Sequence, residues 1–276
     1  MDRVLLSAGR ANLQACIDLA IAYNLGIEVM AFAFPDVLDG DWQGELVKYR
    51  AALRPIRGPV TLHGPFMDMA PGSPDQQIKQ ITVERYQHAI RIAADLGAEL
   101  IVFHANFIAA IHNLEYRVGW HQRNLDFWGK MADFAEHYGV PLAVENMWEF
   151  DPYIITDVLK ELNHPYLRAC LDVGHAHLFS DEEYPFELWL ETVQPWLIHT
   201  HMNNNNGRID VHRGFQDGIL DYDHVLDQIR ALPNPPTITL EMDNVSDMKA
   251  SLYFLHLAQP TDHLQSLVYE TPSPDL

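Results

Sequence analysis

Eight short apolar runs, separated by segments of helical periodicity, constrain this sequence more than any other feature. They read VLLSA (4–8), IEVMAF (27–32), VTLHG (60–64), LIVFHA (100–105), PLAVEN (141–146), LRACLDV (167–173), LIHTHM (197–202) and TITLEM (237–242). Most lack the polar alternation of a half-exposed strand, and unbroken apolar runs are the mark of parallel strands covered on both faces. Between them, 76–96 places Ile81, Ala89, Ile92 and Ala93 on one helical face, and 117–138 repeats Leu125, Trp128, Met131 and Phe134 at helical spacing. Pro141, Pro165 and Pro185 punctuate the boundaries. Eight alternating units in 276 residues match a single α/β domain of the (β/α)8 barrel type, which takes about 250 residues. No low-complexity linker divides the chain. The expected barrel domain is 1–260, with 261–276, ending TPSPDL, as a C-terminal extension.

Composition narrows the setting. With 48% hydrophobic residues, a large core can form without disulfides, and the two cysteines read as reduced core residues: Cys16 in an amphipathic helical pattern, Cys170 inside an apolar run. No stretch approaches the roughly 18 apolar residues of a membrane span, and the opening MDRVLLSAGR lacks a signal-peptide core, so a cytoplasmic chain with no membrane partner is expected. Lys plus Arg total 18 against 38 Asp plus Glu, a formal charge of −20. A polyanionic backbone is repelled by such a surface, so nucleic acid is not an expected partner. The fifteen histidines are many for this length, and packing alone does not account for them.

A strand buried on both faces should not end in an ionisable group unless the group is used. Here the third run ends at His63, the fourth at His104, the fifth at Glu145, the sixth at Asp172, the seventh at His201 and the eighth at Glu241. In a barrel these ends meet around one mouth, where active sites sit. Carboxylates and imidazoles crowded there would repel or be desolvated unless a cation compensates them, and the mixture suits Zn, Mn or Fe. Two local patterns extend the set. In DVGHAH, Asp172 and His175 lie three apart, so a turn at the strand end can aim both inward, leaving His177 at the rim. In HTHMNNNNGRIDVHRG, His201 is followed by Asp210 and His212, while His199, one strand period deeper, reads as a core or supporting histidine. His88, His121, His137 and His256 lie on helical stretches and read as surface or packing residues.

The segments HGPF (63–66), FHAN (103–106), ENM (145–147), DVGHAH (172–177), HMN (201–203), DVH (210–212) and LEM (240–242) together resemble the xylose isomerase-like TIM-barrel family, which holds sugar isomerases, epimerases and endonuclease IV. They occur in the family's order from the third strand onward; the first two strands carry no comparable motif. The resemblance implies that Glu145, Asp172, His201 and Glu241 hold a central divalent metal, Mn or Zn. It further implies that His63, His104, His175, Asp210 and His212 are additional ligands or substrate contacts, completing a three-zinc cluster in the endonuclease IV case.

The resemblance leaves several chemistries open. A sugar, ketose or cyclitol isomerase or epimerase would move a proton through a metal-stabilised enediolate, with Glu145 and Glu241 as acid and base. His175 and Arg208 would contact the substrate, and Phe66, Phe107, Trp120 and Trp148 could wall the pocket or pack under loops. A metal-dependent dehydratase of a keto-cyclitol uses the same parts. An endonuclease IV-like hydrolase would use several metals to activate water. Against it, Lys occurs only at 48, 79, 130, 160 and 249, all on helical stretches, and Arg208 and Arg213 are the only cations near the expected mouth. A non-catalytic metal barrel would not need two opposed glutamates. Schiff-base chemistry lacks a strand lysine, and no nucleotide fingerprint appears. The expected partner is thus a small carbohydrate-like molecule, and homo-oligomerisation stays open.

Overall fold

The computed structural model describes residues 2–111 and 113–258. The extension expected at 261–276 lies outside the described residues.

Eight parallel strands close into one barrel in sequence order, with the first pairing the last. They are β1 (Val4–Ala8), β2 (Gly26–Val29), β3 (Val60–His63), β4 (Ile101–His104), β5 (Leu142–Glu145), β6 (Leu167–Asp172), β7 (Leu197–Met202) and β8 (Thr237–Leu240). The helices between them are α1 (Leu13–Tyr23), α2 (Pro35–Leu38), α3 (Trp42–Leu53), α4 (Gln76–Leu96), α5 (Leu114–Tyr138), α6 (Tyr153–Leu162), α7 (Val173–Phe179), α8 (Phe186–Val193), α9 (Tyr222–Arg230) and α10 (Val245–Ser251). Among the described residues, no helix is long and apolar enough to cross a membrane.

Alternation along each strand builds two different interiors. Outward-facing Val4, Leu6, Ala8, Ile27, Val29, Leu62, Ile101, Phe103, Val144 and Leu171 join the helices in one large apolar shell. Trp128 on α5 and Trp189 on α8 lie in that shell with almost no exposure. Tyr86 of α4 stacks on Phe103 of β4, with ring centroids 4.0 Å apart. Inside the barrel, the separate apolar cluster comprises only Leu100, Val102, Ala143 and Cys170. The remaining inward positions include Glu28, Thr61, His63, His104, Glu145, Asp172, His199, His201, Thr237 and Thr239, all buried. Both cysteines are buried and unpaired.

Several expected boundaries shift. The second run reads as strand through Phe32, yet β2 stops at Val29 and Ala31–Ala33 forms a 3-10 turn; periodicity cannot separate a buried turn from a strand in so short an apolar run. Glu241 falls one residue past β8, and α5 starts at Leu114, where Asn113 caps it by accepting from Tyr116 N. Ile81 is 54% exposed, because the buried face of α4 near its start is set by Thr82 rather than by its apolar neighbours.

Candidate metal centre

Four strand ends converge first. One ligand atom from each of Glu145 (β5), Asp172 (β6), His201 (β7) and Glu241 (just after β8) can be chosen so that all lie within 4.8 Å of one another. His201 Nδ1 is 3.0 Å from both Glu145 Oε1 and Glu241 Oε2. Asp172 has two tasks, since it ends β6 and caps α7: its Oδ1 accepts from His175 N at 2.6 Å, and its Oδ2 accepts from Asn203 Nδ2 at 3.2 Å. The cap aims His175 at the cluster three residues later. Asn146 clamps the same strand end, accepting from Asp172 N and donating to Asp172 O, both at 2.9 Å.

Two further groups adjoin this one. His63, His104 and Glu145 form the first: Glu145 Oε2 lies 3.3 Å from His63 Nε2 and 3.2 Å from His104 Nε2. His63 Nδ1 is taken up by Gly64 O at 2.8 Å, which turns Nε2 to the site. His175, Asp210 and His212 form the second, with Asp210 oxygens 3.4 Å from His175 Nε2 and 3.3 Å from His212 Nε2. His175 Nδ1 is committed to Asn146 O at 3.1 Å. All nine residues expected at the mouth therefore meet there, although the motifs that carry them are scattered from 63 to 241.

Electrostatics explains why the crowd is tolerable. Burial alone would raise the Glu145 carboxyl, but His201 and His104 beside it bring it well below the ordinary range. Glu241 is likewise opposed by burial and drawn down by His201, to about 2. Asp172, fully buried and flanked by Glu145 and Glu241, is pushed up to about 6 by burial and by those charges. Burial lowers His175, yet Asp172 and Asp210 more than reverse this and lift it to about 10. The charges pair, but not every atom is satisfied. Glu145 Oε2, Glu241 Oε2, His175 Nε2 and Asp210 Oδ1 are buried with no hydrogen-bond partner among the described residues. Oxygen and imidazole donors left unfilled and aimed together fit a divalent cation.

The other expected contacts separate. Phe66 stacks on His104 with centroids 4.9 Å apart and sits edge-on to His63, so it walls the site. Trp148 is 43% exposed at the rim. Phe107 and Trp120 are buried and pack on each other at 5.4 Å, beneath the loop after β4 rather than against the cluster of donors. Arg208 is exposed on the loop after β7, and Arg213 pairs with Asp217 at 3.1 Å. His177 is exposed, as expected for a rim residue.

Glu28 on β2, beneath the cluster, belongs to the site although no sequence motif marks it. It is fully buried and touches both His199 and His201. An isolated carboxylate inside the run GIEV was the available signal, and no neighbouring motif drew attention to it. Glu149, likewise unmarked by a motif, ties the loops after β4 and β5 by accepting from Phe107 N and Met147 N.

A barrel with this ring of strand-end donors defines a class, and comparison with known proteins gives the family. Residues 19–262 match the family described as xylose isomerase-like TIM barrel, and the chain belongs to it. It is 26% identical over 208 residues to the uncharacterized protein MJ1311 of Methanocaldococcus jannaschii, covering 73% of this chain and 70% of that one. It is similar to the TTHB071 protein of Thermus thermophilus, whose structure follows soaking with zinc chloride: 28% identity, TM-score 0.77, 93% and 98% of the two chains covered. A D-tagatose 3-epimerase-like protein shares the fold at TM-score 0.76 and 22% identity, over 95% and 97% of the two chains.

Proposed function

We propose that the chain is a divalent-metal-dependent isomerase or epimerase of a sugar, ketose or cyclitol. The observation that carries the reading is the placement of two ionised glutamates, Glu145 and Glu241, each 3.0 Å from the same imidazole nitrogen of His201. Epimerising a carbon next to a carbonyl needs one group to remove its proton and another to return one from the opposite side. A divalent ion at this centre would supply Lewis-acid polarisation of the carbonyl and its neighbouring hydroxyl. Asp172 and His201 complete its donor set. Glu145 and Glu241, held ionised, are able to accept a proton and then give it back. His175 is placed to donate to a substrate oxygen, Phe66 excludes water from one side, and Trp148 and Arg208 are rim contacts for the substrate's far end. The fold shared with a D-tagatose 3-epimerase-like protein supports the carbohydrate class.

The two adjoining donor groups favour a second reading, an endonuclease IV-like hydrolase with several zinc ions. Charge weighs against it. A chain at −20 lacks the cations whose counterion release drives binding to a duplex, and Arg213 is already paired. The test runs both arms on one preparation. With Mn or Zn supplied, the protein should exchange the proton next to the carbonyl of some ketoses or keto-cyclitols in deuterated water, seen by NMR as loss of a C–H signal. Abasic duplex DNA should be neither bound at physiological salt nor cut. Micromolar DNA binding with incision at abasic sites reverses the ranking.

A further inference from the structure

We propose that Glu28 is a positioning residue for His201: it fixes which imidazole nitrogen faces the metal and thereby sets the affinity of the centre. The inference rests on the reading that His201 holds metal.

Glu28 lies on β2, a strand that gives no donor to the groups described above. A carboxylate enclosed at 0% exposure is costly unless both oxygens are used. Both face polar partners. Oε1 lies 2.8 Å from His201 Nε2, an ion-pair contact outside hydrogen-bond geometry that leaves both atoms without a hydrogen bond among the described residues. Oε2 accepts from Thr61 Oγ1 at 2.7 Å and Thr239 Oγ1 at 3.0 Å, and lies 2.8 Å from His199 Nε2. These partners stand on β3, β7 and β8, so strands on both sides of the barrel hold the carboxylate still. His199 is itself fixed, with Nδ1 2.5 Å from Thr237 Oγ1.

A neutral imidazole carries one N–H and one lone pair. The Glu28 carboxylate beside Nε2 favours the proton on that nitrogen, which leaves the lone pair to Nδ1, 3.0 Å from both Glu145 Oε1 and Glu241 Oε2. Without that carboxylate, the charge that favours a proton on Nε2 is gone and the opposite tautomer opens. A carboxylate behind a ligating histidine orients the ring and raises its basicity, and loss of such a partner typically weakens metal binding by about 10–100-fold. The layer beneath the centre is therefore the frame that makes His201 a one-sided ligand.

The experiment measures zinc affinity of the full chain, stripped and reloaded, by competition with a chelating fluorophore. Glu28→Gln should bind zinc about 10–100-fold more weakly. Thr61→Val, which removes one Oε2 partner but leaves the carboxylate facing His201, should weaken binding much less, because the charge behind the ring stays. The deciding readout is a double-mutant cycle: in a His201→Asn background, Glu28→Gln should cause no further weakening, because the residue acts through the imidazole. If Glu28→Gln does not fold, Glu28→Asp, which draws the charge back from both histidines, must show the same weakening and the same dependence on His201. Parental affinity in the Glu28 variant, or equal weakening with and without His201, overturns the proposal alone. Failure of the parent chain to bind zinc or manganese overturns the metal reading and this inference together.

Discussion

The eight strands show opposite chemistry on their two faces. The outer face is aliphatic and aromatic, and buries Leu6, Ile27, Ile101, Phe103 and Val144 against the helices. The inner face, which in barrels of this kind is usually filled by bulky branched residues, is here mostly hydroxyl, imidazole and carboxylate. One face gains free energy on closing the barrel. The other spends some of it, because each buried charge must find a partner. A slip of one residue in any strand would exchange the two sets, so the contrast also fixes the register. Stability and chemistry thus occupy alternate residues of the same strands, and variants can separate them.

The largest expected effect is on the inner face. Glu145→Gln and Glu241→Gln should each lower turnover about a thousandfold or more, the scale of a lost general acid or base, while circular dichroism shows the barrel intact. Residual activity within tenfold of the parent would show that the two faces do not divide this way. On the outer face, Trp128→Ala should cost about 3–5 kcal/mol in urea unfolding, as large buried aromatics do. The protein that remains folded should bind the parent's complement of metal. A variant that unfolds and also loses metal while still folded would mean that the faces are coupled.

His175→Ala should have a smaller effect, about tenfold on turnover, the scale of one lost hydrogen bond, with metal content retained, if it contacts substrate rather than holding the ion. Equal loss of metal in this variant and the two glutamate variants would contradict the division of roles. The mildest test is pH. In metal-free protein, neighbouring carboxylates raise His175 to about 10 and, with Asp210 foremost, His212 to about 9, from an ordinary 6.5. Raised values mean that the folded state favours the proton, so their stabilisation is complete below about 6.5 and fades as pH climbs toward 9. Glu241, lowered to about 2 from 4.5, contributes in the opposite sense and is lost as pH falls through that range. The melting temperature in excess chelator should therefore fall between pH 6.5 and 9. Zinc should flatten the slope, whereas a rise over that interval would refute the charge pairing.

Much of this contrast is legible in the sequence, for a physical reason. His63, His104, Glu145 and Asp172 interrupt apolar runs at their last position, and closing the barrel brings those ends together whatever the helices do. β1 falls on the expected residues because a short apolar run bounded by a turn leaves little choice. Side-chain direction was not legible. Phe66 and Phe107 both follow strand ends, yet one walls the site and the other packs beneath a loop, since each sits where its backbone turn aims it. Glu28 was not legible either, because its partners, Thr61, His199, His201 and Thr239, are far away in sequence and none forms a pattern with it.

Asp210 and His212 ride on a segment whose neck is closed. Asn204 and Arg213 exchange backbone hydrogen bonds at 2.9 and 3.0 Å, and the Asn204 amide fastens the base by donating to Phe215 O and Leu220 O. Gly174 has to lack a side chain here, because a Cβ would stand 2.2 Å from Asn203 Oδ1 beside that neck. The consequence concerns descent. We expect that a hoop tied at its base can be rewritten between the knots while the barrel keeps its shape, so that editing one short cassette would change how many ions the proposed centre accepts. Exchanging residues 206–212 for a segment without Asp or His tests this: a chain that no longer folds would show that the hoop is part of the frame, whereas a folded chain with fewer bound ions would show that it is an heirloom free to vary.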